Sequence, residues 1–199
     1  MLKRRNRTTK RKRLAMLRKE IINRDEIERW LEVWFFPEYK GVKGFLGTQD
    51  VMFVGSNPST GRFPSKYDVR PKMVVVWFYE QLRKHGFENA HITDLMKIRA
   101  SGKEVDELFG NQSLFNEQLK FLMKEVEIVR PKMVVAMGNK CYNILKERVD
   151  IKIVKILHYS STRFPKNKAK LASQMAKIAE MKKERRTHDR NKATADSRV

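Results

Sequence analysis

The chain has 199 residues, of which 41% are hydrophobic and 34% charged, a composition that suits one compact domain with its own core. Its 44 Lys and Arg outnumber its 23 Asp and Glu, and the net charge of +21 is concentrated at the two ends. Residues 1–20 hold ten bases and one acid, and residues 163–199 hold twelve bases and four acids. These basic arms predict a polyanionic partner, most simply nucleic acid.

The same composition excludes several classes of protein. No run of residues approaches the roughly 18 apolar positions needed to cross a bilayer, and no apolar segment follows the charges at the N-terminus. The single cysteine, Cys141, cannot form an internal disulfide, and one thiol is too few for a zinc site or a cysteine-ligated iron–sulfur cluster. We therefore expect a soluble intracellular protein that does not associate with membranes.

The two ends of the chain are expected to differ from its middle. The charges of residues 1–20 repel one another, so this arm is predicted to be disordered or only transiently helical. A domain is expected over residues 21–165, beginning with a helix that Asp25 caps and that places Ile27, Leu31 and Trp34 on one face. A basic helix and tail are expected over residues 166–199, where four apolar side chains repeat at helical spacing: Leu171, Met175, Ile178 and Met181.

Short apolar runs alternate with amphipathic helices through the middle of the chain. Strands are predicted at residues 51–55, 90–95, 133–137 and 151–157, and helices near residues 68–86, at 115–130 and after Gly138. Strands that are too short to be helices, alternating with helices, are typical of a parallel sheet with helices on both faces. We therefore predict an α/β fold of three layers, with a four-stranded, mainly parallel sheet flanked by basic arms.

In such sheets the working site lies beyond the carboxyl ends of the strands. The loop from Gly55 to Gly61 follows one of these ends and is rich in small residues and hydroxyls that can approach a phosphate, although such residues are also typical of a tight turn. His158 closes the last strand beside three hydroxyls and Arg163, which would suit a bound phosphate, although a lone histidine is more often structural than catalytic. Neither a metal-ligand cluster nor a Ser-His-Asp relay can be assembled, so no metal is expected.

Four segments of the middle region resemble, in the same order, the uracil-DNA glycosylase superfamily over roughly residues 48–165. Residues 51–59 resemble its first motif, a strand followed by Gly-x-Asn-Pro, as in the mismatch-specific and single-strand-selective branches. Residues 91–97 resemble its second strand with a Thr-Asn-x-x-Lys ending, and residues 115–138 resemble its helix, proline and Val-Val-Ala-Leu-Gly strand. Residues 156–160 resemble its His-Pro-Ser second motif.

The resemblance implies base excision, in which uracil or a related deaminated base is flipped out of DNA and its N-glycosidic bond is hydrolysed without a cofactor. It implies that Asn57 holds the attacking water and that His158 donates a hydrogen bond to the leaving base. The implied base-binding residues are Gly55, Ser56, Phe63, which would stack on the base, and Asp94. The implied phosphate-binding residues are Ser59, Ser160, Ser161 and Arg163, and Arg163 or Phe164 could fill the gap in the duplex. The implied partner is DNA, single- or double-stranded, bound by a monomer.

The chain departs from the superfamily pattern at several positions. Asn57 replaces the aspartate of the fastest branch, so slow turnover is expected, and Tyr159 stands where proline is usual. Cys141 alone excludes the iron–sulfur cluster of some branches. Asp94 stands where several branches read the base with an asparagine, whose amide matches both O4 and N3–H of uracil.

An ionised Asp94 only accepts hydrogen bonds and would repel O4. Either Asp94 lies outside the pocket, paired with Lys97 or Arg99, or burial keeps it protonated, or the preferred base presents a donor at that position.

Two other functions compete with a glycosylase. The chain could be a glycosylase-like module that binds nucleic acid without catalysis, with its affinity supplied by the arms. A metal-dependent nuclease is the third hypothesis, but the predicted strand ends carry few of the carboxylates that a two-metal site needs.

Overall fold

The centre of the fold is a four-stranded sheet whose strands are all parallel. The computed structural model describes residues 2–24, 33–59 and 73–196, and places the side chains of these except at 2–8, 73, 186 and 188–196. The strands are β1 (Val51–Gly55), β2 (His91–Asp94), β3 (Met133–Met137) and β4 (Ile153–Ile156). They lie in the order β2-β1-β3-β4, and each neighbouring pair is parallel. The predicted α/β fold with a four-stranded sheet is confirmed.

Helices cover both faces of this sheet. They are α1 (Leu2–Ile22), α2 (Met73–Lys84), α3 (Glu104–Gly110), α4 (Gln112–Val129), α5 (Asn139–Leu145) and α6 (Pro165–Asp196), with short 3-10 helices at Gly44–Leu46 and Tyr159–Arg163. On one face Phe53 and Val135 pack with residues of α2 and α6, including Phe78 and Leu171. On the other face Val54 and Ala136 pack with residues of α4 and α5. The three layers were therefore predicted correctly.

The apolar spacing of α4 predicted its position, and local chemistry sets its ends. The side chain of Asn111 accepts a hydrogen bond from the backbone N–H of Leu114 at 3.1 Å, which caps the first turn. Arg130 then takes a left-handed conformation with φ 49° and ends the helix before the proline. The predicted starts of the helix at Asp25 and of the helix near residue 68 lie outside the described residues.

The basic N-terminal arm is a helix that packs against the domain, so the expectation of a disordered segment is wrong. Leu14, Leu17 and Ile21 of α1 are buried against a cluster that includes Phe45 and Phe121. These three apolar residues follow one another at helical spacing within the charged sequence, so burial of one face offsets the repulsion between the charges. Within the described ranges, no helix is both long and apolar enough to cross a bilayer.

Candidate active site

The described residues among those singled out from the sequence gather at one edge of the sheet. We call it the carboxyl edge: Gly55, Asp94, Met137 and Ile156, which end the four strands, and the segments that follow them. The chain leaves β1 for β2 on one side and returns to β3 on the other. This reversal opens a crevice between β1 and β3, where ligands of open α/β sheets bind.

Asn57 sits in a loop that a second loop holds in place. Its amide Nδ2 donates to the carbonyl oxygens of Pro58, at 3.0 Å, and Ala100, at 3.1 Å. The backbone N–H of Ala100 in turn donates to the carbonyl of Pro58 at 3.0 Å. Since both amide hydrogens are used in this way, Oδ1 is the atom of the Asn57 side chain left to accept a hydrogen bond from water.

His158 is fixed by the residues that follow it. The backbone N–H of Ser160 donates to Nδ1 at 3.2 Å, and the Ser160 hydroxyl lies 2.7 Å from the same nitrogen. The ring also stacks on Tyr159, with ring centres 4.4 Å apart. Burial lowers the pKa of His158 to about 4, so the ring is neutral at pH 7. A neutral ring that accepts at Nδ1 carries its proton on Nε2, and Nε2–H is therefore a hydrogen-bond donor.

The candidate phosphate-binding residues differ in their exposure and in the contacts that their side chains already make. Ser59, Ser160 and Arg163 are exposed, and the Arg163 guanidinium lies 5.0 Å from the ring centre of Phe164, itself half exposed. Ser161 uses its hydroxyl hydrogen to bond the carbonyl oxygen of His158 at 2.7 Å, so it has no hydrogen left for a phosphate. Phe63 lies outside the described residues.

Asp94 is buried directly beside Gly55. The two residues are register partners of β1 and β2, and a Cβ on Gly55 would lie 2.2 Å from Oδ1 of Asp94. Only glycine therefore leaves room for this carboxyl. Among the described residues, neither carboxyl oxygen has a hydrogen-bond partner. Burial raises the pKa of Asp94 to about 7, with Lys97 opposing the rise and Glu125 adding to it.

The ion pair of Asp94 with Lys97 or Arg99, one of the sequence alternatives, is not formed. The Lys97 ammonium lies 2.9 Å from Oε1 of Glu125 and donates to the backbone carbonyl of Asp94 at 2.7 Å. Arg99 donates its Nε–H to the carbonyl of Ser59 at 3.2 Å. Among the described residues, no counter-ion thus contacts the carboxyl of Asp94, which is consistent with the alternative in which burial favours the protonated form.

A buried network behind the site was not predicted. Glu125 is fully buried, with one oxygen on Lys97 and the other 3.2 Å from Nε2 of His91. Burial alone would raise the pKa of Glu125, but Lys97 and His91 hold it below the usual value. The signal lay in the spacing of α4, because Gln118 and Glu125 fall on its buried face among the apolar residues.

An open parallel sheet with polar side chains at its switch point is the arrangement of ligand-binding and catalytic α/β proteins. The model of the uracil DNA glycosylase superfamily matches residues 44–183, and the chain belongs to this superfamily. The match includes Asn57, Asp94 and His158, and it reaches further into α6 than the resemblance found in the sequence. A search of curated proteins gave no match. Among the described residues, no group of three or more His, Cys, Asp or Glu could hold a metal ion.

Proposed function

We propose that the protein is a DNA glycosylase that hydrolyses the N-glycosidic bond of uracil or a related deaminated base. One observation carries the proposal: Nδ1 of His158 accepts a hydrogen bond from the Ser160 backbone at 3.2 Å, which leaves Nε2–H as a donor at the same edge as the amide oxygen of Asn57. Members of the superfamily act on DNA, and the net charge of +21 favours binding to its phosphates.

The two side chains supply complementary parts of the reaction. With the flipped base in the crevice, Oδ1 of Asn57 accepts a hydrogen bond from water and directs its oxygen at C1′ of the sugar. The water oxygen bonds to C1′ as the bond from C1′ to the base breaks and its electron pair moves onto the base, and the proton that the water loses passes through solvent to the departing base. Nε2–H of His158 donates to the base oxygen on which negative charge develops, which stabilises the transition state more than the ground state. An amide cannot take the proton of the water, so turnover is expected to be slow.

Asp94 is proposed to contribute to the choice of base. A protonated carboxyl has one donor and one acceptor, as an asparagine amide does, and so matches O4 and N3–H of uracil. The pKa of about 7 means that both forms of Asp94 are populated near neutral pH.

The test is incubation of the protein in EDTA with end-labelled oligonucleotides that carry uracil, hypoxanthine or xanthine, followed by alkali. Strand breaks at the modified base that require alkali would support a glycosylase. Breaks that require magnesium and no alkali would instead indicate a nuclease. DNA binding with no break under either condition would indicate a glycosylase-like module without catalysis.

A further inference from the structure

The first residues of α1 and the second half of α6, both rich in bases, lie on the opposite side of the sheet from the candidate active site. We call that side the amino edge: Val51, His91, Met133 and Ile153, which begin the four strands, and the segments that precede them. The strands between the two edges have at most five residues, or about 16 Å. Groups at one edge are therefore separated from the other by the whole sheet.

The path of α6 leads away from the site. It begins at Pro165 beside the carboxyl edge, and Gln174 then accepts a hydrogen bond from the backbone N–H of Leu157 at 2.9 Å. Further along, Arg185 donates to the carbonyl of Lys132, which directly precedes β3. The helix thus passes the amino edge at Arg185, and its last residues run beyond that edge.

The first residues of α1, at the other end of the chain, also extend past the amino edge. Arg24, just after the helix, bonds Glu117 near the start of α4, whereas Lys10 donates to the carbonyl of Val129 at the end of α4, at 2.7 Å. The two helices are therefore antiparallel. Because α4 ends at the amino edge, the residues of α1 before Lys10 extend past that edge. They include four bases and no acid: Lys3, Arg4, Arg5 and Arg7.

Further cations surround these two helix ends. Lys12, Arg130, Lys152 and Arg185 are exposed, and all four belong to α1, α6 or the segments that enter β3 and β4. Two of the nearby carboxylates already form ion pairs, Glu38 with Arg11 and Glu127 with Arg13, each at 3.1 Å. Asp50 and Glu184 also lie at this edge. Burial, followed by the charge of Arg130, lowers the pKa of Lys10, whereas Asp50 opposes the shift.

We propose that the amino edge, with the first residues of α1, is a second DNA-binding surface that holds a different duplex segment from the one at the candidate active site. A domain of this length is about 40 Å across. Duplex DNA has a persistence length of about 500 Å, which is far longer than the domain. Bending one segment around the domain, from the carboxyl edge to the amino edge, would therefore cost more free energy than the added phosphate contacts return. Phosphate contacts at the amino edge therefore belong to a second segment.

The apolar face of α1 favours DNA over a membrane surface as the partner. A basic helix that lies on a lipid bilayer inserts its apolar face among the acyl chains. Here that face is already used, because Leu14, Leu17 and Ile21 are buried in the domain. The side of the helix that faces solvent carries its cations, which can bind the phosphates of a duplex.

The experiment measures whether one protein molecule joins two duplexes. A uracil-containing duplex is immobilised, the full-length protein is added, and capture of a fluorescent duplex without uracil is recorded at low salt. The test variant is Lys12→Glu/Arg130→Glu, and Lys12→Glu/Lys152→Glu repeats the test with the end of α4 unchanged. The control is Lys120→Glu/Lys170→Glu, which makes the same change of charge on exposed positions away from the amino edge. Sedimentation at the assay concentration establishes whether one copy of the protein is present per complex.

Wild type and the control are expected to capture the second duplex, and the two test variants to lose most of that capture. The slope of log affinity against log salt for the captured duplex should fall by about two, one for each cation lost. Binding of a single strand of about five nucleotides, too short to reach the amino edge, should be unchanged in the test variants and shows that they are folded.

Several outcomes would overturn the inference: no capture by wild type, equal capture by the test variants, capture only by a dimer, or binding to anionic vesicles without capture of DNA. The capture needs no catalysis, so absence of excision would count against the proposed function alone.

Discussion

At the scale of single residues, the proposed chemistry depends on Asn57 and His158. We expect Asn57→Ala and His158→Ala each to lower the single-turnover rate of base excision by on the order of tenfold to a thousandfold, because each removes one positioned contact to the transition state. DNA binding should be retained, since the basic surfaces are unchanged. Rates equal to wild type in both variants, with circular dichroism showing an intact fold, would refute the proposed site.

Asp94 is the residue whose charge state connects stability with specificity. Its pKa of about 7 lies above the ordinary value of 3.8, so ionisation weakens the native state as the pH rises from about 4 through 7. Asparagine has nothing to ionise. The free energy of unfolding of Asp94→Asn, relative to wild type, should therefore be higher at pH 8 than at pH 4 by about 2–4 kcal/mol, as measured by urea denaturation. His158 titrates in both proteins and cancels in the comparison.

The same variant tests whether Asp94 reads the base. Protonation of the wild-type carboxyl should make uracil excision faster as the pH falls through 7, whereas Asp94→Asn should be fast for uracil without this dependence. His158, with a pKa of about 4, stays neutral over that range. The measurement is the rate on uracil, hypoxanthine, xanthine and cytosine substrates between pH 6 and pH 8. An unchanged order of substrates in the variant would place Asp94 outside base recognition.

At the scale of secondary-structure elements, α4 connects the core to the segment that follows β2 and contains Lys97. Its buried Glu125 is the partner of Lys97, which also donates to the backbone carbonyl of Asp94 at 2.7 Å. Glu125→Gln should lower the free energy of unfolding by about 3–5 kcal/mol, because it leaves the Lys97 ammonium buried without an opposite charge. The control is Glu127→Gln, a change on the exposed side of the same helix, for which we expect less than about 1 kcal/mol. Similar losses in the two variants would contradict the assigned role.

The sequence predicted the elements with strong apolar patterns and missed those that depend on tertiary contacts. The continuous apolar runs of β1 and β3 identified buried parallel strands, and the spacing along α4 identified a helix. The helix α3 was not predicted, because its seven residues include only three large apolar side chains and offer too short a pattern. The network of Glu125, Lys97 and His91 was missed because it joins distant parts of the chain.

The candidate site was predictable to a similar degree. A turn after each strand located Asn57, Asp94 and His158 at one edge, since parallel strands end together. The sequence left open whether the Asp94 carboxyl forms an ion pair with Lys97, because the answer depends on the ion pair that Lys97 forms with Glu125. It also could not indicate that the Ser161 hydroxyl is used by the carbonyl of His158.

At the scale of the whole molecule, charge and packing act together in α1. The charges alone predicted a disordered or transiently helical arm, yet burial of Leu14, Leu17 and Ile21 makes the second half of this helix part of the core. Removal of the entire helix would therefore expose apolar residues such as Phe45 and Phe121, as well as remove cations. A change in DNA binding after such a deletion could not be assigned to charge.

Two truncations separate these effects. Deletion of residues 1–9 removes four bases and keeps Leu14, Leu17 and Ile21, so the melting temperature should fall by no more than a few degrees. The slope of log affinity against log salt for duplex DNA should decrease by up to about four, since each phosphate contact contributes close to one. Deletion of residues 1–22 should in addition lower the free energy of unfolding by several kcal/mol, because three buried apolar side chains are lost. An unchanged salt slope after the shorter deletion would show that the first residues of α1 do not touch DNA, whereas equal melting temperatures for the two truncated proteins would show that the helix does not stabilise the domain.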